Sequence, residues 1–393
     1  MIDLSPKATF RALCKCAFAL RSRLKPKVET FEGNRPGNRK WALVSYLPGA
    51  INKKDGDKTL SVHSNWWECR QIARILSDRG YNVEAISYAD AKTVPPRKYD
   101  LVFDIEGNLA RLKPFQKPET KFLMMLTGSH LPFAVEAERK RIVDFVRRHG
   151  IPYAPRYAKY GERTGAMDTS LEVADKCLLL GNAVAESTYP SRFHGKMERC
   201  PVTIVPPSSI KTEGYGGKSF LYFFSGRNVA KGLDLVLDAA ARHADWSVRV
   251  VGSIDPEFEP WIRGLSNVKI EGFLKPDSAK FAEIVADVSA FVAPTCTEGT
   301  SPAALTCMAA GLYPIVSART GIDMPAGCGI VFDDLTPETV ESCMSRFLSL
   351  PESEAARQTA ACRAFVAAAH SREAFTNAVS SVLDSFERGG SLS

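Results

Sequence analysis

The stretch Phe291–Pro314, FVAPTCTEGTSPAALTCMAAGLYP, decides how the chain is read. Phe291 to Ala293 form a short apolar strand, and a polar loop carrying Glu298 follows. Ser301 has the chemistry of a helix N-cap and Pro302 that of a first helical residue. The helix runs through Leu305 and Met308 and stops near Gly311. A second apolar run, Leu312 to Ser317, begins the next strand. Such a helix start has N–H groups and a dipole that attract an anion. Glu298 precedes the helix and is placed to accept hydrogen bonds from the hydroxyls of a ligand such as a sugar. The same pattern also fits an ordinary βα unit of an α/β sheet with one solvated loop carboxylate.

Outward from that unit the strand–helix alternation continues in both directions. FLYFFSG opens a second half of the chain and is followed by Arg227, Lys231 and a helix with Leu233, Val236 and Leu237 on its apolar face. Two cations between a strand end and a helix start can straddle a diphosphate, the arginine as a fork of donors and the lysine as a point charge. WSVRVVGS ends in a turn at Gly252, where backbone can approach a ligand. VKIEGFL puts Phe273 at the next strand end, as a wall for a nucleobase or as core. A helix over 336–348, with Pro337 in its first turn, and two more over 352–370 and 371–386 complete the chain. In the first half, WALVSYL begins a βα unit whose long loop lacks the GxGxxG spacing of a dinucleotide site. His63 and Asn65 lie at the start of its helix and are read as capping or solvating that end. LVFDI and 121–126 are further strands, and the latter runs into Thr127-Gly128-Ser129-His130. His130, just past a strand end, lies where open sheets bind ligands. Residues 153–169 show no clear period; a mobile loop is one reading, and the sequence does not place them.

The chain has 393 residues, 45% of them hydrophobic, and a formal charge of +7. That length favours two domains, and that charge suits an anionic substrate or surface. The ten cysteines show neither metal spacing nor a disulfide framework, so free thiols in a reducing compartment are expected. No run is long enough to span a membrane. Residues 5–25, SPKATFRALCKCAFALRSRLK, combine helical apolar spacing with dense positive charge. They are either a contact with an anionic membrane surface or a packed helix with a solvated basic face. The expected location is therefore cytoplasmic, with peripheral membrane association as one reading. Interleaved aromatic platforms for single-stranded nucleic acid are not seen, and no nucleic-acid partner is expected. Residues 1–38 read as this segment and a linker, 39–205 as a first α/β domain, 206–216 as a hinge, and 217–370 as a second α/β domain. The helix 371–386 is expected to cross back to the first.

SGRNVAKGLDLVLDAA at 225–240, VVG at 250–252, IEGFL at 270–274 and EGTSPAALTCMAAGLYPIVS at 298–317 together resemble the retaining glycosyltransferases of family 4. The likeness is strongest over residues 220–335, with TGSH at 127–130 as its trace in the first domain. It implies the GT-B fold: two Rossmann-like domains with mainly parallel sheets facing across a cleft. It also implies retaining transfer of a sugar from a nucleoside diphosphate sugar to a hydroxyl acceptor, in glycan, polysaccharide or glycolipid synthesis. By resemblance, Arg227 and Lys231 hold the diphosphate, Glu298 touches the donor sugar and His130 lies near it. N–H groups around Thr300 and Ser301 would meet the phosphates, and Gly252 and Phe273 would border the nucleotide. The family's second glutamate, which commonly holds the ribose, is replaced here by Thr306. Metal-independent chemistry without a cofactor is expected, with a glycan or lipid-linked sugar as acceptor. The alternative is a non-catalytic homologue that uses the cleft for nucleotide-sugar binding or assembly.

Overall fold

A computed structural model describes residues 28–61, 63–157 and 161–388. The basic segment 5–25 lies outside them. The first sheet has the order β1-β3-β2-β4-β5-β6-β7. Its strands are β1 (Glu29–Thr30), β2 (Lys40–Tyr46), β3 (Tyr81–Ser87), β4 (Leu101–Asp104), β5 (Lys121–Leu126), β6 (Lys176–Leu179) and β7 (Met197–Arg199). From β3 to β7 every pairing is parallel. Ala42, Val44, Val83, Phe103 and Leu123 are buried, which is what near-continuous apolar strands covered on both faces produce. The covering helices are α1 (Pro48–Ile51), α2 (Ser64–Asp78), α3 (Leu109–Leu112), α4 (Leu131–His149), α5 (Gly161–Val173) and α6 (Ala183–Glu186).

Two segments differ from their sequence reading. Residues 28–38 are not a free linker. Glu29 and Thr30 pair antiparallel with Ala85 and Glu84 at the sheet edge. The Asn34 side chain exchanges hydrogen bonds with the backbone of Val83, and Asn38 donates to Tyr81 O. These amides supply the pairing that a polar, Gly/Pro-containing run cannot obtain from apolar burial. Within 153–169, residues 161 onward are helix α5, whose weak amphipathic pattern hid it.

The second sheet is fully parallel, in the order β10-β9-β8-β11-β12-β13. It comprises β8 (Ser219–Phe223), β9 (Ser247–Val251), β10 (Val268–Gly272), β11 (Ala290–Ala293), β12 (Tyr313–Ser317) and β13 (Ile330–Phe332). Helices α7 (Leu233–Arg242), α8 (Glu259–Arg263), α9 (Ala279–Asp287), α10 (Pro302–Ala309), α11 (Pro337–Leu348) and α12 (Glu352–Ala369) belong to this half. Strand order reverses between β8 and β11, so the loops leaving these two strands form the crevice where open α/β sheets bind ligands.

The domains meet through α4 and α7. Arg141 bonds the buried Asp234 at 2.5 Å, and Arg148 contacts both Asp234 and Asp238. Beside them Phe145 stacks on Phe258, with ring centroids 5.2 Å apart. The linking segment is held on the second domain: Lys211 N–H donates to Ala310 O, and the Tyr215 hydroxyl donates to Lys211 O and Gly311 O. The last helix, α13 (Arg372–Arg388), crosses back. Phe375 meets Trp67 of α2 edge-on, and Arg79 bonds Ser380 O and Asp384. Among the described residues no helix is long and apolar enough to cross a membrane. The eight described cysteines are all free and buried.

Candidate functional site

The turn after β8 is wound tightly. Gly226 and Arg227 both have left-handed φ, 62° and 52°. For a non-glycine residue that conformation costs about 1 kcal/mol and persists only when its surroundings impose it. Here they do: Asn228 N–H donates to Asp255 at 2.7 Å, and Asp255 N–H donates to the Asn228 side chain at 2.6 Å. The turn thereby projects the Arg227 guanidinium over the Tyr157 ring of the first domain, 4.5 Å from its centroid. Gly232 (φ 74°) then starts α7, and a Cβ there would lie 2.3 Å from Pro294 O, so the turns after β8 and β11 are in contact.

The turn after β11 carries Glu298. Its carboxylate is ion-paired with Lys231, whose side chain is 6% exposed. Burial pushes the Lys231 ammonium below the ordinary lysine value; Glu298 opposes that shift and Arg227 adds to it. From the first domain, the Ser129 hydroxyl donates to Glu298 O at 2.6 Å. A Cβ on Gly299 would sit 2.3 Å from Leu180 O, so only glycine permits this approach between domains.

Two neighbouring cavities result. The polar one, about 260 Å³, is lined by Glu106, Thr127, Gly128, Ser129 and Tyr157 on one side and by Arg227, Thr297 and Glu298 on the other. The apolar one, about 170 Å³, is lined by Gly252, Phe273 and Thr306, together with His63, Ser64 and Thr203 of the first half. Gly252 has φ 127° and packs so closely on Phe224 O that a Cβ would lie 1.8 Å away. Phe273 is 64% exposed and is a wall of this cavity, not core.

Arg227 and Glu298 thus share one cavity, and Gly252, Phe273 and Thr306 share the other. Lys231 lines neither: it sits behind Glu298 as a buried counter-charge. His130 also lines neither. It begins α4, and its Nε2 lies 2.7 Å from Asp168 with the ring against Tyr189. Ser301 caps α10 as expected, accepting from Ala304 N–H. Its own N–H donates to Thr320 O at 2.9 Å, so that group is already committed inside the domain. The Thr300 hydroxyl donates to Gly321 O, and Thr300 borders a third cavity beside α13 with Cys200 and His370. His63 caps α2 through Nδ1, as read from the sequence, and also borders the apolar cavity. Sequence reasoning passed over Glu106 and Tyr157. Glu106 follows the strand LVFDI directly, a strand-end signal open to view, whereas Tyr157 lies in a stretch without period. Among the described residues no cluster of three metal-ligating side chains occurs.

Residues 219–349 match the family model described as Glycosyl transferases group 1. A search of curated proteins gives no significant match. Several solved structures share the architecture. Sucrose-phosphate synthase from Thermosynechococcus elongatus aligns over 89% of this chain and 99% of its own, with 16% identity and a TM-score of 0.62. HepE from Anabaena, solved in complex with UDP-glucose, covers 88% and 99% of the two chains at 10% identity and TM-score 0.57. WaaG, a glycosyltransferase involved in lipopolysaccharide biosynthesis, covers 88% and 99% at 15% identity and TM-score 0.52. At such identities the likeness is one of fold, and that fold is GT-B.

Proposed function

We propose that the chain transfers a sugar from a nucleoside diphosphate sugar to a hydroxyl acceptor, with retention at the anomeric carbon, as a member of glycosyltransferase family 4. The observation that carries this reading is the pair of cavities at the β8/β11 switch point, one apolar, the other polar with Arg227 and Glu298 on its wall. A group 1 glycosyl transferase domain over 219–349 supports it, as does a neighbour of the same fold bound to UDP-glucose. The nucleoside occupies the apolar cavity and the diphosphate follows the turn at Gly226–Arg227. Glu298 accepts from hydroxyls of the transferred sugar. As the bond to the anomeric carbon breaks, Arg227 meets the charge gained by the leaving diphosphate. Lys231, one layer behind, sustains the field and holds Glu298 in place. With these cations on hand, the reaction needs no metal cofactor. His130, held by Asp168, positions the start of α4 and with it the Thr127–Ser129 wall. The close approach of Gly299 to the first domain limits water access.

The acceptor is a glycan or a lipid-linked sugar, and residues 5–25 are the candidate contact with an anionic membrane surface. Incubation with UDP-, GDP- and ADP-sugars, reading release of the nucleoside diphosphate, should single out one base. No binding of any of these nucleotides by calorimetry would overturn the proposal. Tight binding without turnover, with the native acceptor supplied, would assign the chain to nucleotide-sugar binding or assembly.

A further inference from the structure

The apolar cavity has an unusual polar inventory for a place that receives a nucleoside. Among the described residues that line it, none is Asp, Glu, Asn, Gln, Lys or Arg. Its polar side chains are His63, Ser64, Thr203, Ser225 and Thr306. All four of the hydroxyls already interact within the protein. Thr306 donates to Pro302 O at 2.8 Å, one helical turn back. Thr203 donates to the buried Glu68 carboxylate at 2.8 Å, and Ser64 bonds the same carboxylate. Ser225 lies at the end facing the Arg227 turn and accepts from Ser253 N–H at 3.2 Å. His63 accepts from Asn65 N–H through Nδ1, which leaves Nε2 as the donor of the neutral ring. Toward a nucleoside sugar, the wall at Thr306 and Thr203 therefore offers neutral oxygens that accept and no carboxylate.

Resting on the reading of the cleft given above, we infer that this site does not select ribose over 2′-deoxyribose, so that 2′-deoxynucleoside diphosphate sugars are accepted as donors alongside ribonucleotide ones. The physical basis is the difference between two kinds of hydroxyl recognition. A buried carboxylate built to receive a ribose hydroxyl is left unpaired by the deoxy analogue, and sites of that kind reject the analogue by orders of magnitude. A hydroxyl oxygen that already has its proton committed gains at most one neutral hydrogen bond from the ribose, equivalent to about tenfold or less in affinity. The rest of the wall is apolar, with Ile204, Phe223, Leu274 and Pro302 among its members, and makes contacts that do not depend on the 2′ substituent.

Calorimetric titration of the full chain with the pairs UDP and dUDP, GDP and dGDP, ADP and dADP tests this without any variant. Whichever base binds, the deoxy member should bind within about tenfold of its ribo partner. A ribo preference greater than that overturns the donor inference and leaves the cleft assignment standing. Failure of all six nucleotides to bind overturns the cleft assignment itself, and the donor inference with it. Thr306→Glu supplies the missing carboxylate and should raise the ribo-to-deoxy ratio at least tenfold. An unchanged ratio in that variant, folded by circular dichroism, would place the nucleoside sugar away from Thr306 and overturn the proposed origin of the tolerance.

Discussion

Lys231 shows how much a single residue's role depends on depth. As a sequence element it is one of two cations, Arg227 and Lys231, with three residues between them; in the fold it is buried and bound to Glu298. Only Arg227 reaches the cavity wall. Arg227→Ala should therefore weaken binding of the preferred nucleoside diphosphate by about 1.5–3 kcal/mol, roughly tenfold to a hundredfold, in calorimetry. Wild-type affinity in that variant would remove Arg227 from the diphosphate. Lys231 has a second signature. Its value is depressed by burial, so its charge is present at low pH and is lost as pH rises through a value below the ordinary lysine one. Nucleotide affinity should fall along that limb. Glu298 raises the Lys231 value, so Glu298→Gln should move the limb to lower pH and reduce turnover by about tenfold to a thousandfold. An unmoved limb would show that Lys231 does not titrate there. The sequence made both cations and Glu298 visible because charged residues at strand ends are conspicuous. It did not show their ordering in depth, which is set by the left-handed turn at Arg227 and the packing of Gly232 on Pro294.

Among elements, α10 was the most legible, since Ser-Pro ahead of an apolar run states its own start, and the structure begins it at Pro302. Ser301→Ala should lower stability by about 1 kcal/mol in denaturant titration, the scale of a lost N-cap; no change would mean the cap contributes nothing. What the sequence could not state is that the preceding N–H is committed to Thr320, because that partner is nineteen positions away and arrives by the return of the chain after β12. The edge strand β1 was hidden for a related reason: two residues pair, and the side-chain amides that secure them look like turn formers. Gly299 has the converse character. Its neighbours are Leu180 O and Gly128 Cα from the other domain. Gly299→Ala should leave both domains folded while forcing the cleft apart, seen as a larger radius of gyration in solution scattering. An unaltered scattering curve would show that the loop after β11 yields instead.

At the scale of the whole molecule, the two-domain α/β plan was readable from alternating strands and helices, but the polar seam that joins the halves was not. Arg141 and Arg148 lie on the charge-rich helix α4, yet both reach Asp234, which is fully buried. Removing one partner from such a cluster leaves charge stranded in the interior. Arg141→Ala should cost about 3 kcal/mol and raise hydrogen exchange along α4 and α7 together. Exchange confined to one helix would mean the seam does not couple the domains. The return of α13 has a further consequence, in the order of events during synthesis. The last strand of the first sheet ends at Arg199, but the helix that seals Trp67 and Arg79 ends only at Arg388. Between those points roughly 190 residues must be added, which at roughly 5–20 residues per second takes roughly ten to forty seconds on the ribosome. For that interval the nascent first domain carries an open apolar seam on α2, a timed opportunity for a chaperone that closes when the last helix emerges.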